Sequence, residues 1–185
     1  MAPMSRRTWW ALTLAFMALA ASPAAGQGER LELGGGIAFL LSDRLTDGYA
    51  GGWFVDGGWH LAPGLTAIVA GSRHRVTQDV GFFDTEVTFD TVLVGARYRF
   101  VAGSLRPFVQ LLAGRGRVAV AARATSPIAT GGDDDATHVT LQLGGGLEAP
   151  LSESLRLRVG VDYRRVEADT ALNQIVISSG VTLGF

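Results

Sequence analysis

Apolar and polar residues alternate with period two along most of the chain from Arg30 to Phe185, and the alternation breaks at short intervals around glycine, proline or aspartate. Successive side chains of a strand point to opposite faces, so this pattern predicts strands with two unlike faces. Eight such segments follow one another: 30–42, 50–60, 65–78, 86–100, 106–118, 138–149, 155–166 and 173–185. In the seventh, Leu155, Leu157, Val159, Val161 and Tyr163 oppose Arg156, Arg158, Gly160, Asp162 and Arg164. The sixth sets Val139, Leu141, Leu143 and Leu147 against Thr140, Gln142, Gly144, Gly146 and Glu148. The third mixes both parities, and its facing is left open.

Two arrangements can use such strands. A soluble barrel or sandwich turns the apolar face inward, whereas a membrane barrel turns it to lipid and keeps polar side chains in the lumen. The polar face here is crowded with glycine (Gly34, Gly36, Gly52, Gly58, Gly95, Gly144, Gly146, Gly160 and Gly180). Glycine weakens a solvent-facing strand, but in a lumen it leaves room for large charged neighbours. The charges on that face also balance: Glu32, Asp56, Glu148 and Asp162 can pair with Arg97, Arg99, Arg156 and Arg158. Turning those arginines to lipid would cost roughly 2–4 kcal/mol each near the midplane. The expected fold is therefore all-β: an eight-stranded antiparallel up-and-down transmembrane β-barrel.

The connections fit the same picture. Leu61–Gly64, Val101–Leu105 and Pro150–Ser154 are short, while Gln78–Glu86 and Ala119–Thr137 are longer and polar. Short turns on one rim and long loops on the other are the outer-membrane pattern, with the long loops outside. Trp59, Tyr98, Phe100, Phe108 and Phe185 fall near the short-turn rim, where an aromatic girdle is expected.

Composition narrows the choices further. Hydrophobic residues make up 48% of the chain, yet no run after the N-terminal segment is long enough for a membrane-spanning helix. The net charge of −1 gives no case for nucleic-acid binding. With no cysteine, disulfide frameworks, thiolate metal sites and cysteine nucleophiles are all excluded.

Residues 1–26 read as a secretory signal peptide. Arg6 and Arg7 supply the positive start, Trp9–Ala21 the short apolar stretch, and Ala24 and Gly26 the small residues before cleavage. Ser5-Arg6-Arg7 also resembles the start of a twin-arginine signal, but a barrel that inserts from an unfolded state argues against folded export. The mature chain is then residues 27–185, a single barrel domain outside the cytoplasm.

The final phenylalanine after VISSGVTLGF resembles the C-terminal signal by which the barrel assembly machinery recognises its substrates. VLVGARYRF, RPFVQLLAGRGRV and LQLGGGLEAPLSESLRLRVGVDYRRV together resemble the small OmpA/OmpX-like outer membrane protein β-barrel domain families. The resemblance covers residues 30–185 and implies fold and bacterial outer-membrane location rather than an activity. It makes Phe185 the insertion signal. No peptidoglycan-binding domain follows Phe185, so wall anchoring is not implied.

Candidate chemistry is sparse. Some eight-stranded barrels are lipid-modifying enzymes, and Ser72 and His74 stand two apart on one strand, the spacing a nucleophile and its base could use. The RHR context of His74 lacks the recognisable deacylase motif, so an enzyme is not expected. His60 and His138 have no second imidazole at ligand spacing, and Asp133-Asp134-Asp135 lacks ordered calcium-ligand spacing. No cofactor or metal is expected. Arg73, Arg75, Arg115, Arg117 and Arg123 gather toward the outer strand ends, where guanidiniums could bind lipopolysaccharide phosphates or simply form a charged rim.

The expectation is a non-enzymatic, monomeric outer-membrane barrel with an envelope-structural or surface-interaction role. Its partners would be membrane lipid and lipopolysaccharide, plus the assembly machinery during insertion. Two alternatives stay open: a narrow channel for small solutes, and a soluble periplasmic lipocalin-like binder.

Overall fold

The computed structural model describes residues 30–42, 49–80, 83–100, 103–124, 132–168 and 171–185. The expected signal peptide and the loop residues 43–48 lie outside the described residues. Eight strands run in order: β1 Leu31–Ser42, β2 Tyr49–Ala62, β3 Leu65–Val80, β4 Phe83–Arg99, β5 Arg106–Ala124, β6 Gly132–Pro150, β7 Leu155–Glu167 and β8 Leu172–Gly184. Each pairs antiparallel with its sequence neighbours, and β8 returns to pair with β1, closing an eight-stranded barrel. Closure removes every sheet edge, which membrane-embedded strands require because lipid offers no hydrogen-bond partner. At the seam the Phe185 carbonyl accepts from the Arg30 and Leu31 amides, and its own amide donates to Leu31.

The period-two face assignment decides what points where. Trp53, Val55, Trp59, Val92, Val94, Leu111, Leu141, Leu143, Val159, Val161, Ile175 and Ile177 all stand exposed on the outer wall. Their alternates point into the barrel and are buried or half-buried. This arrangement overturns the soluble binder, whose apolar face would line the interior. The undecided third strand turns Thr66, Ile68, Ser72 and His74 inward.

The short-turn rim follows turn chemistry. Pro63-Gly64 joins β2 to β3, and Gly64 takes φ +79°, a conformation glycine adopts without penalty. A Cβ there would also press on the Arg99 carbonyl.

The other rim differs from the expected one. The loop expected over Ala119–Thr137 is mostly strand: Val118 pairs with Ala136, Ala119 with Asp135, and the ladder continues to Ala122 and Gly132. Asp133-Asp134-Asp135 therefore belongs to β6, not to a loop tip. The Gln78–Glu86 connection is likewise a hairpin paired to Val80 and Phe83. Backbone hydrogen bonds carry a ladder past the point where side-chain alternation ends, because each residue supplies its own donor and acceptor.

Candidate functional site

The lumen is the densest cluster of chemistry in the molecule. On β4, Arg97 donates to Gln110 Oε1 at 2.9–3.0 Å, to Asp56 Oδ2 at 3.1 Å and to Glu32 Oε1 at 3.3 Å. Its guanidinium also lies over the Phe108 ring at 5.1 Å. Two residues along, Arg99 grips Glu148 through two bonds of 2.8 and 3.1 Å, and donates to Glu32 at 2.7 Å and Thr66 at 2.8 Å. Arg156 reaches Glu32 at 3.3 Å and Glu148 at 3.5 Å. Arg158 pairs with Asp56 and stacks over Phe54 at 5.0 Å. All seven of these charged side chains are buried.

Asp162 is bonded by glutamine rather than arginine, with Arg164 and Arg97 acting on it only at longer range. It accepts from Gln110 Nε2 at 2.6 Å and lies beyond ion-pair distance of every described guanidinium. Glutamines and Thr66 therefore complete a network that was expected to consist of charges alone. Arg164 was also absent from the expected set, although it shares the inward parity of Arg156 and Arg158. Burial strengthens such bonds, and it makes breaking one costly because the orphaned partner has no water to turn to.

The lumen glycines have two reasons to be small. At Gly34, Gly58 and Gly144 an added Cβ would meet the side chains of Asp56, Glu32 and Asp162 respectively. At Gly36, Gly52, Gly95, Gly146 and Gly180 it would instead collide with the backbone of the adjacent strand. These latter positions let a small barrel coil tightly.

Outward from the network the lumen turns apolar, which the expected polar interior does not include. Ala38, Leu40, Ala50, Val87, Phe89 and Val176 form one cluster, with Phe54, Val76, Val118 and Val120 packed against it. Ile68, Leu93 and Leu112 form a second beside the polar layer. Phe108 also belongs inside: it is 4% exposed beneath Arg97 and takes no part in the girdle. Trp59, Tyr98, Phe100 and Phe185 face outward.

Ser72 and His74 both point into this interior, away from lipid. Ser72 shares a 2.8 Å hydrogen bond with Thr91 and accepts from Arg164 at 3.2 Å. Neither ring nitrogen of His74 has a hydrogen-bond partner, so no base is seated on the hydroxyl. His60 contacts Thr66 at 3.0 Å and Glu32 at 3.5 Å near the short-turn rim. His138 is half-buried on β6, and no group of metal-ligating side chains occurs among the described residues.

Of the outer arginines, Arg73 is held by both oxygens of Asp90 at 2.6 and 2.8 Å, Arg75 by Glu86 at 3.3 Å, and Arg117 by Asp135. Arg115 is exposed and has no carboxylate partner among the described residues. The Arg123 side chain lies outside the described residues.

Residues 11–185 match the sequence model of the family described as "Outer membrane protein beta-barrel domain". No curated protein matches the chain. Solved structures with the same fold include Neisserial surface protein A, 18% identical with a TM-score of 0.63 over 86% of this chain and 98% of that one. Ail of Yersinia pestis, in complex with the heparin analogue sucrose octasulfate, is 15% identical with a TM-score of 0.60, covering 86% and 100%. A major outer membrane protein from Thermus thermophilus is 14% identical with a TM-score of 0.61, covering 86% and 100%.

Proposed function

The chain belongs to the outer membrane protein β-barrel domain family, and from that premise we propose that it is a non-catalytic, non-conducting barrel that acts through its outer surface. The observation that carries this reading is the unequal height of the wall. Strands β3 to β6 have 16, 17, 19 and 19 residues, against 12 to 14 in β1, β2, β7 and β8. About 9–11 residues suffice to cross a bilayer, so the long strands rise well beyond the apolar belt. On β5 that belt ends at Ala113, and Arg115 and Arg117 follow on the same outward face. The four tall strands make a ladder-stiffened platform, and rigid scaffolds are where binding surfaces are presented.

The filled interior supports the same reading. A charged network occupies one half, and apolar side chains interleaved with Ser72, His74, Gln142 and Arg164 occupy the other, around a lumen cavity of about 40 Å³. Eight strands enclose just enough room for side chains, which argues against a solute path.

A deletion strain complemented with trimmed protein tests the proposal. Removing residues 119–135 and closing the gap with a tight turn shortens β5 and β6 to the belt. The trimmed barrel is expected to reach wild-type levels in the outer membrane but fail to restore the strain's surface-attachment phenotype. Full restoration would leave envelope reinforcement as the better function.

Lipopolysaccharide contact is a narrower part of the proposal. Arg115, exposed just above the belt and without a carboxylate partner among the described residues, offers a guanidinium to outer-leaflet phosphates. The Arg115→Gln variant should retain less lipopolysaccharide through purification, and equal retention would remove this contact from the account.

A further inference from the structure

Arg164 on β7 is an arginine held inside the barrel with no carboxylate in ion-pair contact among the described residues; Asp162 acts on it only at longer range. It is 2% exposed. Its Nε donates to Gln142 Oε1 at 2.9 Å and its Nη2 to Ser72 Oγ at 3.2 Å, both neutral groups. Its Nη1 is buried and has no acceptor. Asp162, two residues along the same face, is occupied by Gln110 at 2.6 Å and lies beyond ion-pair distance. Directly across the β7–β8 ladder is Gln174, whose Nε2 is likewise buried and unpartnered.

Two features of this cluster point to a missing acceptor. Guanidinium Nη1 and amide Nε2 are obligate donors, so only an acceptor can satisfy them. The buried charges of the described lumen also leave an excess of positive charge. Arg97, Arg99, Arg156, Arg158 and Arg164 stand against Glu32, Asp56, Glu148 and Asp162. An uncompensated buried charge is strongly unfavourable. Beside Arg164 lies the cavity of about 40 Å³, whose charged and polar wall comprises Arg97, Arg158, Arg164, Asp56, Asp162, Gln110, Gln142, Ser72, Thr91 and Ser178, with Gln174 just outside it. A water needs roughly 10–15 Å³ of such space, so a monatomic ion and a water fit together.

We infer that the lumen binds a small inorganic anion, chloride in an ordinary medium, at Arg164 Nη1. The anion completes the charge balance above the Arg97–Asp56 layer. It is a structural ligand of the folded barrel, enclosed by the apolar cluster on its outer side.

Bromide is the probe, because it replaces chloride and scatters anomalously. Crystals of the refolded full chain grown in sodium bromide and measured at the bromine edge should show an anomalous peak within contact distance of Arg164 Nη1. The peak should vanish in Arg164→Gln. A second measurement needs no variant: urea unfolding of the wild-type barrel in sodium bromide and in sodium gluconate at equal ionic strength. A ligand that binds only the folded state raises the midpoint, so the bromide midpoint should be higher. No anomalous peak beside Arg164, or equal midpoints in the two salts, would show that water alone fills the cavity and overturn the proposal.

Discussion

At Arg97 one guanidinium ties Glu32 on β1, Asp56 on β2 and Gln110 on β5 to β4 while covering the Phe108 ring. The network depends on both members of each pair, since removing one leaves its partner charged and dry. Glu148 answers both Arg99 and Arg156. Glu148→Gln should therefore lower stability by about 3–5 kcal/mol, read from urea unfolding in lipid vesicles, and a loss below about 1 kcal/mol would contradict the network's role. The glycines allow a paired test. Gly95→Ala drives a Cβ into the Leu111 carbonyl and should cost about 1–3 kcal/mol. Gly51→Ala, which meets nothing within 4 Å, should stay within about 0.5 kcal/mol of wild type. Parity alone makes Glu32, Asp56, Arg97, Arg99, Glu148, Arg156 and Arg158 legible in the sequence, because each interrupts an apolar alternation on one side. Leu40, Val87 and Phe89 escape that reading: where both faces of a strand are apolar, alternation carries no contrast. Phe108 escapes it differently, since an aromatic near a rim suits a girdle as well as a stack beneath arginine.

Among the elements, β5 and β6 depart furthest from their expected lengths. Above the bilayer a strand needs no apolar face, so Arg117, Ala119, Asp135 and Thr137 continue the ladder without an alternation to announce it. Exposed pairs such as Arg73–Asp90 and Arg117–Asp135 bridge adjacent tall strands there, although screened pairs of this kind add at most about 1 kcal/mol each. Orientation can be tested with single cysteines, the native chain having none. On intact cells a membrane-impermeant maleimide should label Thr137→Cys on β6 and leave Ser152→Cys, in the β6–β7 turn, unlabelled until the envelope is opened. The reverse pattern would place the tall wall on the periplasmic side.

For the whole molecule, the solvent on each side of the wall decides the fold. The outer belt faces lipid, and Leu143 stands in the middle of it on β6. Leu143→Arg should lower the stability of the bilayer-embedded barrel by about 2–4 kcal/mol, measured by unfolding from vesicles, whereas an unchanged stability would deny the belt its lipid contact. Inside, among the described residues, the charged layer and the apolar clusters pack against each other around a small cavity. The most direct test of the proposed non-conducting, surface-acting role is the current through planar bilayers containing the refolded protein. The account predicts a baseline without discrete steps across a wide voltage range. Steady, reproducible unitary conductance would contradict it and make the molecule a conduit.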